Sequence, residues 1–368
     1  MIKRLGAILS HLFSYSIFLV QAILCLSSAA NAGQRGLSGE VPHEVLAFYY
    51  GWYGNPATSG HFEHWHLDAN GLKIVNSRDT PINGAYDSHK RSVIREQLQE
   101  AKASGITGFI VSWWGKNNFT DKGLPDMLEE AARIGLKITV YIEKFPTGAD
   151  APALSEQVAE LNYIIKTYSH SPAWLRVGAR PVVFVYAAAL KAGGAQWHRA
   201  MERARLDYPS IDPIFIADVS YGLSTAAQRQ AASYVADFDG VHGYSIRGMR
   251  QRFSLEQNVK IARANFAQWR LGTSALQITC DTVMPGFDDT ALTERPLPRP
   301  TVLRNNGSLY SALWKEAIAD NPDWILIDSW SEWHEGTEIE PSVEYGQLYL
   351  DITARYSRNF LMRKANRH

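Results

Sequence analysis

Ser88-His89-Lys90-Arg91-Ser92-Val93-Ile94-Arg95-Glu96-Gln97-Leu98-Gln99-Glu100-Ala101-Lys102-Ala103-Ser104, followed by Gly105 and then Thr107-Gly108-Phe109-Ile110-Val111-Ser112-Trp113, reads as a helix, a stop and a strand. Ile94, Leu98 and Ala101 recur at i, i+4, i+7, while Arg95, Glu96, Gln99 and Lys102 fall on the other side, which predicts an amphipathic helix. Gly105 can take the left-handed conformation that ends a helix. Thr107–Trp113 is apolar at most positions, as a strand covered on both faces must be. The same unit recurs along the chain. Further strand candidates are Val45–Tyr50, Lys137–Ile142, Pro181–Tyr186, Pro213–Asp218, Gly240–Tyr244, Ala275–Cys280 and Trp324–Asp328, with helical patterns between them and a last helix at Tyr349–Met362. Eight buried strands alternating with helices predict a single α/β domain, a (β/α)8 TIM barrel. An open doubly wound sheet is the competing reading, and it lacks a glycine-rich phosphate loop after the first strand.

The N-terminus carries a different message. Lys3 and Arg4 precede an apolar run from Leu12 to Leu26, and Ala30-Asn31-Ala32 offers a small-residue cleavage site before Gly33. This layout predicts a signal peptide over 1–32, a catalytic domain over 33–368, and a secreted or periplasmic protein with no membrane anchor once cleaved. Ser14, Ser16 and Gln21 interrupt the run too often for a membrane span. Cys25 falls in that leader, which leaves Cys280 alone and rules out an internal disulfide in the processed chain. The 37 basic and 37 acidic residues balance, so the chain lacks the electrostatic footprint of a nucleic-acid binder. Its 11 Trp and 17 Tyr exceed what a core needs, and many sit in loops that follow strands.

In a barrel of this kind the chemistry lies at the C-terminal ends of the strands. Tyr49-Tyr50-Gly51-Trp52-Tyr53 with His61, His64, Trp65 and His66 follow the first strand candidate, Trp113-Trp114 end the second, and Glu143 follows the third. Tyr244 ends the sixth, Asp281 and then Arg295 follow the seventh, and Trp330-Ser331-Glu332-Trp333-His334-Glu335-Gly336-Thr337 follows the eighth. Glycosidic cleavage needs two carboxyl groups flanking the bond, and aromatic faces can stack on sugar rings. Glu332 and Glu335 are the candidate pair. Residues three apart lie about 5 Å apart in a helical turn and about 10 Å apart when extended, so spacing leaves retention and inversion both open.

These motifs resemble glycoside hydrolase family 99, the endo-α-mannosidases and α-mannanases. The resemblance rests on Tyr53-Gly54-Asn55-Pro56 with His64-Trp65, on Ser112-Trp113, and on Glu332-Trp333-His334-Glu335-Gly336-Thr337 with Ile339-Glu340. It implies a (β/α)8 barrel, no metal or other cofactor, and endo cleavage of an α-mannan with retention, in which the sugar's own 2-hydroxyl attacks the anomeric carbon. Glu332 would then be the base on that hydroxyl and Glu335 the acid on the leaving oxygen. Substrate contacts implied by the resemblance or by loop position are Tyr50, Tyr53, His64, Trp65, Trp113, Trp114, Glu143, Tyr244, Arg295, Ser331, Trp333 and His334, with Arg295 alternatively pairing with Asp288 or Asp289. The chain departs from the family at Ser331, where Asn is usual, and in the segment from Asp68 to Tyr86. Two other readings stand beside this one. His61, His64 and His66 could hold a metal for a polysaccharide hydrolase or deacetylase, although they lack the i, i+4 spacing of a helical zinc site. The barrel could also bind a polysaccharide without cleaving it.

Overall fold

The computed structural model describes residues 41–143, 153–186, 194–220, 237–270 and 277–363. The expected signal peptide lies outside the described residues. Among them, no helix is long and apolar enough to cross a membrane.

Strands β1 (Glu44–Tyr49), β2 (Gly108–Trp113), β3 (Lys137–Ile142), β5 (Arg180–Val185), β6 (Ile214–Asp218), β7 (Gly240–His242), β8 (Ile278–Val283) and β9 (Trp324–Ile327) are parallel neighbours. Tyr141 and Ile142 of β3 pair with Phe184 and Val185 of β5, which closes the sheet into an eight-stranded barrel. Closure excludes the open doubly wound alternative. Helices α1 (Arg91–Ala103), α2 (Phe119–Ile134), α3 (Leu154–Thr167), α4 (Gly194–Asp207), α5 (Leu255–Trp269), α6 (Ser308–Asp320) and α7 (Leu348–Leu361) complete the described elements. A short strand that the sequence did not suggest, β4 (Arg176–Val177), runs antiparallel to β5.

Helix α1 begins at Arg91 rather than Ser88. The residues before it form a turn, with the Lys90 N–H donating to the Asp87 carbonyl and the His89 N–H to Asp87 Oδ1. Ile94, Leu98 and Ala101 are buried as their spacing predicts, and each large apolar side chain so placed contributes about 1.5–3 kcal/mol. Gly105 has φ +79°, and a Cβ there would meet Ser357 Oγ at 2.2 Å, so both conformation and packing require glycine. The seventh barrel strand needed a larger correction. It was expected at Ala275–Cys280, but it is Ile278–Val283, and residues 275–276 lie outside the described residues. Its polar residues find partners on other segments: Asp281 Oδ1 pairs with Arg270, at the end of α5, at 2.7 Å, and the Thr282 hydroxyl donates to the Gly243 carbonyl.

Alternation along the strands sorts the side chains. On β1, Val45, Ala47 and Tyr49 join the layer between barrel and helices. Phe48 points the other way, into the barrel, where it meets Tyr141 at 4.9 Å and His242 at 5.6 Å. Phe184 likewise meets His242 at 5.4 Å and Trp324 at 6.0 Å across the interior. Continuing this inner register past the strand ends brings Tyr50, Glu143, Tyr186 and Tyr244 to one rim.

Candidate active site

That rim surrounds a cavity of about 400 Å³. Its aromatic wall is Tyr50, Trp52, Trp114, Tyr186 and Tyr244, and its carboxylates are Glu143, Glu294, Glu332 and Glu335. His64, His66, His334, Asn76, Leu292 and Arg295 complete it.

The chain presents Glu332 and Glu335 by a compact turn after β9. The Trp330 N–H donates to the Phe48 carbonyl and ties the turn to β1, while the Ser329 N–H donates to Thr337 and the Ile339 N–H returns to Ser329. Ser329 Oγ accepts from the Glu332 N–H at 2.8 Å, and the Glu335 N–H donates to the Glu332 carbonyl at 3.2 Å. The segment is therefore turned, not extended. Gly336, at φ +60°, would bring a Cβ to 3.1 Å from the Asp288 backbone, and the Asp288 N–H donates to the Glu335 carbonyl at 2.8 Å. The loop after β8 is thus packed directly on the turn.

Both carboxyl groups are pushed above the usual carboxylate range. For Glu332 the cause is burial, then the negative charge of Glu335; one hydrogen bond, from the His334 N–H at 3.2 Å, pulls the other way. For Glu335 burial raises the proton affinity, Arg295 lowers it and Asp289 raises it again. Arg295 Nη1 lies 3.5 Å from Glu335 Oε1 and 2.9 Å from Asp289 Oδ2, so it faces the cavity and pairs with an aspartate at once. The pair consequently titrates as a unit. In the free protein Glu332 is the drier group, and Glu335 has the cation.

Around the pair, the Tyr50 hydroxyl donates to that of Tyr244 at 2.7 Å, and the Ser112 hydroxyl donates to Glu143 at 2.9 Å. The His334 Nε2 atom lies 2.9 Å from both the His64 carbonyl and the Asn76 amide, and burial lowers the ring's pKa to about 4, which leaves it neutral. His64 stacks face to face on Trp52, with ring centres 4.4 Å apart at an angle of 6°.

Nine of the residues singled out from sequence meet at this cavity: Tyr50, His64, Trp114, Glu143, Tyr244, Arg295, Glu332, His334 and Glu335. Five do not line it. Trp113 is one register step from the inner face and turns outward, donating its indole N–H to Asp121 at 2.8 Å. Trp65 is buried against Tyr53, with ring centres 4.0 Å apart, and donates to the Tyr86 carbonyl. The Tyr53 hydroxyl donates to the Ser331 carbonyl, and Trp333 Nε1 lies 3.2 Å from both the Tyr86 hydroxyl and Glu340 Oε2. Ser331 is fully buried, its Oγ accepting from the Tyr50 N–H at 3.1 Å. The departure from the family's usual Asn therefore sits behind the cavity wall, in contact with β1. The sequence placed Trp52 and His66 at this rim by loop position alone and did not single out Asn76, Tyr186, Leu292 or Glu294. Tyr186 could have been found by extending the inner register of β5; Asn76 gave no local signal, being 258 residues from His334.

Of the histidines after β1, His64 and His66 line the cavity, whereas His61 is exposed and pairs with Glu63 at 3.0 Å. Among the described residues no group of three or more His, Cys, Asp or Glu is placed to hold a metal ion.

Comparison with known proteins agrees with this arrangement. The model of glycosyl hydrolase family 99 matches residues 41–366. A glycoprotein endo-alpha-1,2-mannosidase of Mus musculus is 27% identical over 367 residues, covering 85% of this chain and 74% of that protein. A human glycoprotein endo-alpha-1,2-mannosidase-like protein is 26% identical, covering 87% and 76%. Among solved structures, the GH99 endo-alpha-mannosidase from Bacteroides thetaiotaomicron in complex with bis-tris propane superposes with a TM-score of 0.72 at 26% identity, covering 86% of this chain and 97% of that one. With a family match over nearly the whole described chain and two carboxyl groups at the rim of an aromatic cavity, this chain belongs to glycosyl hydrolase family 99 and is a glycoside hydrolase.

Proposed function

We propose that the protein is an exported, endo-acting α-mannosidase that cleaves with retention through the substrate's 2-hydroxyl. The observation that carries this reading is the Glu332–Glu335 turn at an aromatic cavity, in a chain whose similar proteins are described as endo-α-mannosidases. In the first step the Glu332 carboxylate takes the 2-hydroxyl proton, and the 2-oxygen attacks the anomeric carbon. The bond to the leaving sugar breaks as Glu335 donates its proton to the departing oxygen. In the second step Glu335, now a carboxylate, takes a proton from water; the water opens the 1,2-anhydro ring at the anomeric carbon, and Glu332 returns its proton to the 2-oxygen. Two inversions give net retention. The active form carries one proton on the pair, held by Glu335.

Tyr50 and Tyr244, joined through their hydroxyls, and Glu143 line the inner end of the cavity, where sugar hydroxyls need partners. Trp52 and Trp114 offer ring faces. Product analysis after incubation with α-mannans tests the reading. Internal cleavage should release oligosaccharides whose new reducing ends keep the α configuration at first. Release of single sugars from chain ends, or β-configured first products, contradicts it; binding without turnover would favour the non-catalytic alternative.

A further inference from the structure

The electrostatics of the pair pose a problem that the surrounding loop answers. The mechanism needs a proton on Glu335, yet Glu335 is the member with a guanidinium beside it, and a cation within about 4–6 Å normally strips a proton from a carboxyl group. We propose that Asp289 is a positioning residue: it captures the Arg295 guanidinium and holds it off Glu335, so that Glu335 retains the proton it gives to the leaving group. This inference rests on the acid role assigned to Glu335 above.

The geometry is specific. One nitrogen, Arg295 Nη1, faces both carboxylates, at 2.9 Å from Asp289 Oδ2 and 3.5 Å from Glu335 Oε1. The first is the shorter and stronger bond, and the second is a longer ion pair that still lowers the proton affinity of Glu335. Asp289 is buried, and Arg299 approaches the same Oδ2 from elsewhere in the loop at 3.4 Å. The backbone explains the alignment. The Leu292 N–H donates to the Asp289 carbonyl and the Arg295 N–H to the Leu292 carbonyl, two successive turns three residues long that bring residues 289 and 295 to one side. The same loop is fixed to the catalytic turn through the Asp288 N–H and the Glu335 carbonyl. Asp289 thus acts on Glu335 in two ways of the same sign: it keeps the cation at a distance, and its own negative charge opposes ionisation.

Glu143, Glu294, His64, His66 and His334 line the same cavity as Glu335. Arg247, after β7, favours the ionised form. Glu332 and Asp328, on the turn's own segment, interact electrostatically with Glu335, and burial together with its charge keeps the Tyr50 and Tyr244 phenols protonated. Among these Asp289 is the one held by salt bridges to two arginines of its own loop.

The test is the pH profile of kcat/KM, which reports the free enzyme, measured on an α-mannoside with a sugar leaving group and on an activated aryl α-mannoside. Asp289→Asn keeps the side chain's shape and removes its charge. A neighbouring charge shifts a carboxyl group by about one unit or more, so on the sugar leaving group the alkaline half of the profile should fall about tenfold, and on the aryl substrate much less. Arg295→Gln should move the alkaline limb the opposite way, to higher pH. A loss in Asp289→Asn that is equal on both substrates at every pH would mark a merely structural role and overturn the proposal, as would an alkaline limb displaced upward. If Asp289→Asn fails to fold by thermal unfolding, Arg295→Gln decides, and a limb that stays in place or moves down overturns the proposal. Glu335→Gln separates the two levels. Persistence of the wild-type alkaline limb in that variant refutes the acid role itself, whereas its disappearance together with unmoved limbs in Asp289→Asn and Arg295→Gln refutes only the part given to Asp289.

Discussion

Two adjacent tryptophans, Trp113 and Trp114, should fail in opposite ways when truncated. Trp113 is fully buried, stacks near Tyr163 with ring centres 6.3 Å apart, and donates to Asp121 at 2.8 Å. Replacing such a side chain by alanine costs about 3–5 kcal/mol. The Asp121 oxygen it abandons still accepts from the Tyr168 hydroxyl at 2.7 Å, so no unpaired carboxylate adds to that cost. At roughly 2–4 °C per kcal/mol for a domain somewhat smaller than this one, Trp113→Ala should lower the melting temperature by about 6–20 °C and leave KM near the wild-type value. Trp114 lines the cavity and donates its indole N–H to Ser112 Oγ. Trp114→Ala should lower the melting temperature far less and raise KM about tenfold, the equivalent of about 1.4 kcal/mol of lost contact. Thermal unfolding followed by circular dichroism, with steady-state kinetics on the same preparations, reads both. A raised KM at unchanged melting temperature for Trp113→Ala would refute the register argument that divides wall from core.

Burial pushes Glu340 up to about 8, so the folded chain holds a proton there that the unfolded chain releases above about 4.5. Stability should therefore fall as pH rises from about 5 to 8, and Glu340→Gln should flatten that slope in denaturant titrations; an unchanged slope would remove Glu340 as a contributor. Exhaustive chelation should leave turnover unchanged, and loss of activity restored by zinc would return attention to His61, His64 and His66. Exported protein should begin near Gly33 on N-terminal sequencing, and mature material still carrying Lys3 and Arg4 would refute the cleavage.

The barrel was legible because its strands advertise themselves. Segments such as Gly108–Trp113 and Trp324–Ile327 are buried on both faces and thus almost wholly apolar, and each lies beside a helix with one apolar stripe. The seventh barrel strand runs on past Cys280 through Asp281 and Thr282, polar residues whose partners, Arg270 and Gly243, lie on other segments and are invisible in the local sequence. The Glu332–Glu335 turn was legible as a motif, but its neighbours were not equally so. Residue type does not distinguish an aromatic ring facing a sugar from one locked in a wall, and Tyr53, Trp65 and Trp333 proved to be walls. Register could have separated Trp113 from Trp114, since successive residues face opposite sides of a sheet. Arg295 faces the cavity and also pairs with Asp289, one of the two aspartates the sequence offered it. Asn76 comes from the segment that matches the family poorly, and the hydrogen bonds that place it join it to His64, His66 and His334.

The proposed mechanism divides labour between Glu335, as the acid on the leaving group, and Glu332, as the base on the 2-hydroxyl. Rates of Glu335→Gln and Glu332→Gln on a sugar leaving group and on an activated aryl α-mannoside test it most directly. General acid catalysis contributes about 10²- to 10⁴-fold, so Glu335→Gln should recover much of its loss on the activated substrate. Glu332→Gln should recover none, and the wild-type enzyme should fail on the matching 2-deoxy substrate. Equal rescue of the two variants, or ready cleavage of the 2-deoxy glycoside, would contradict the account and point to a carboxylate nucleophile.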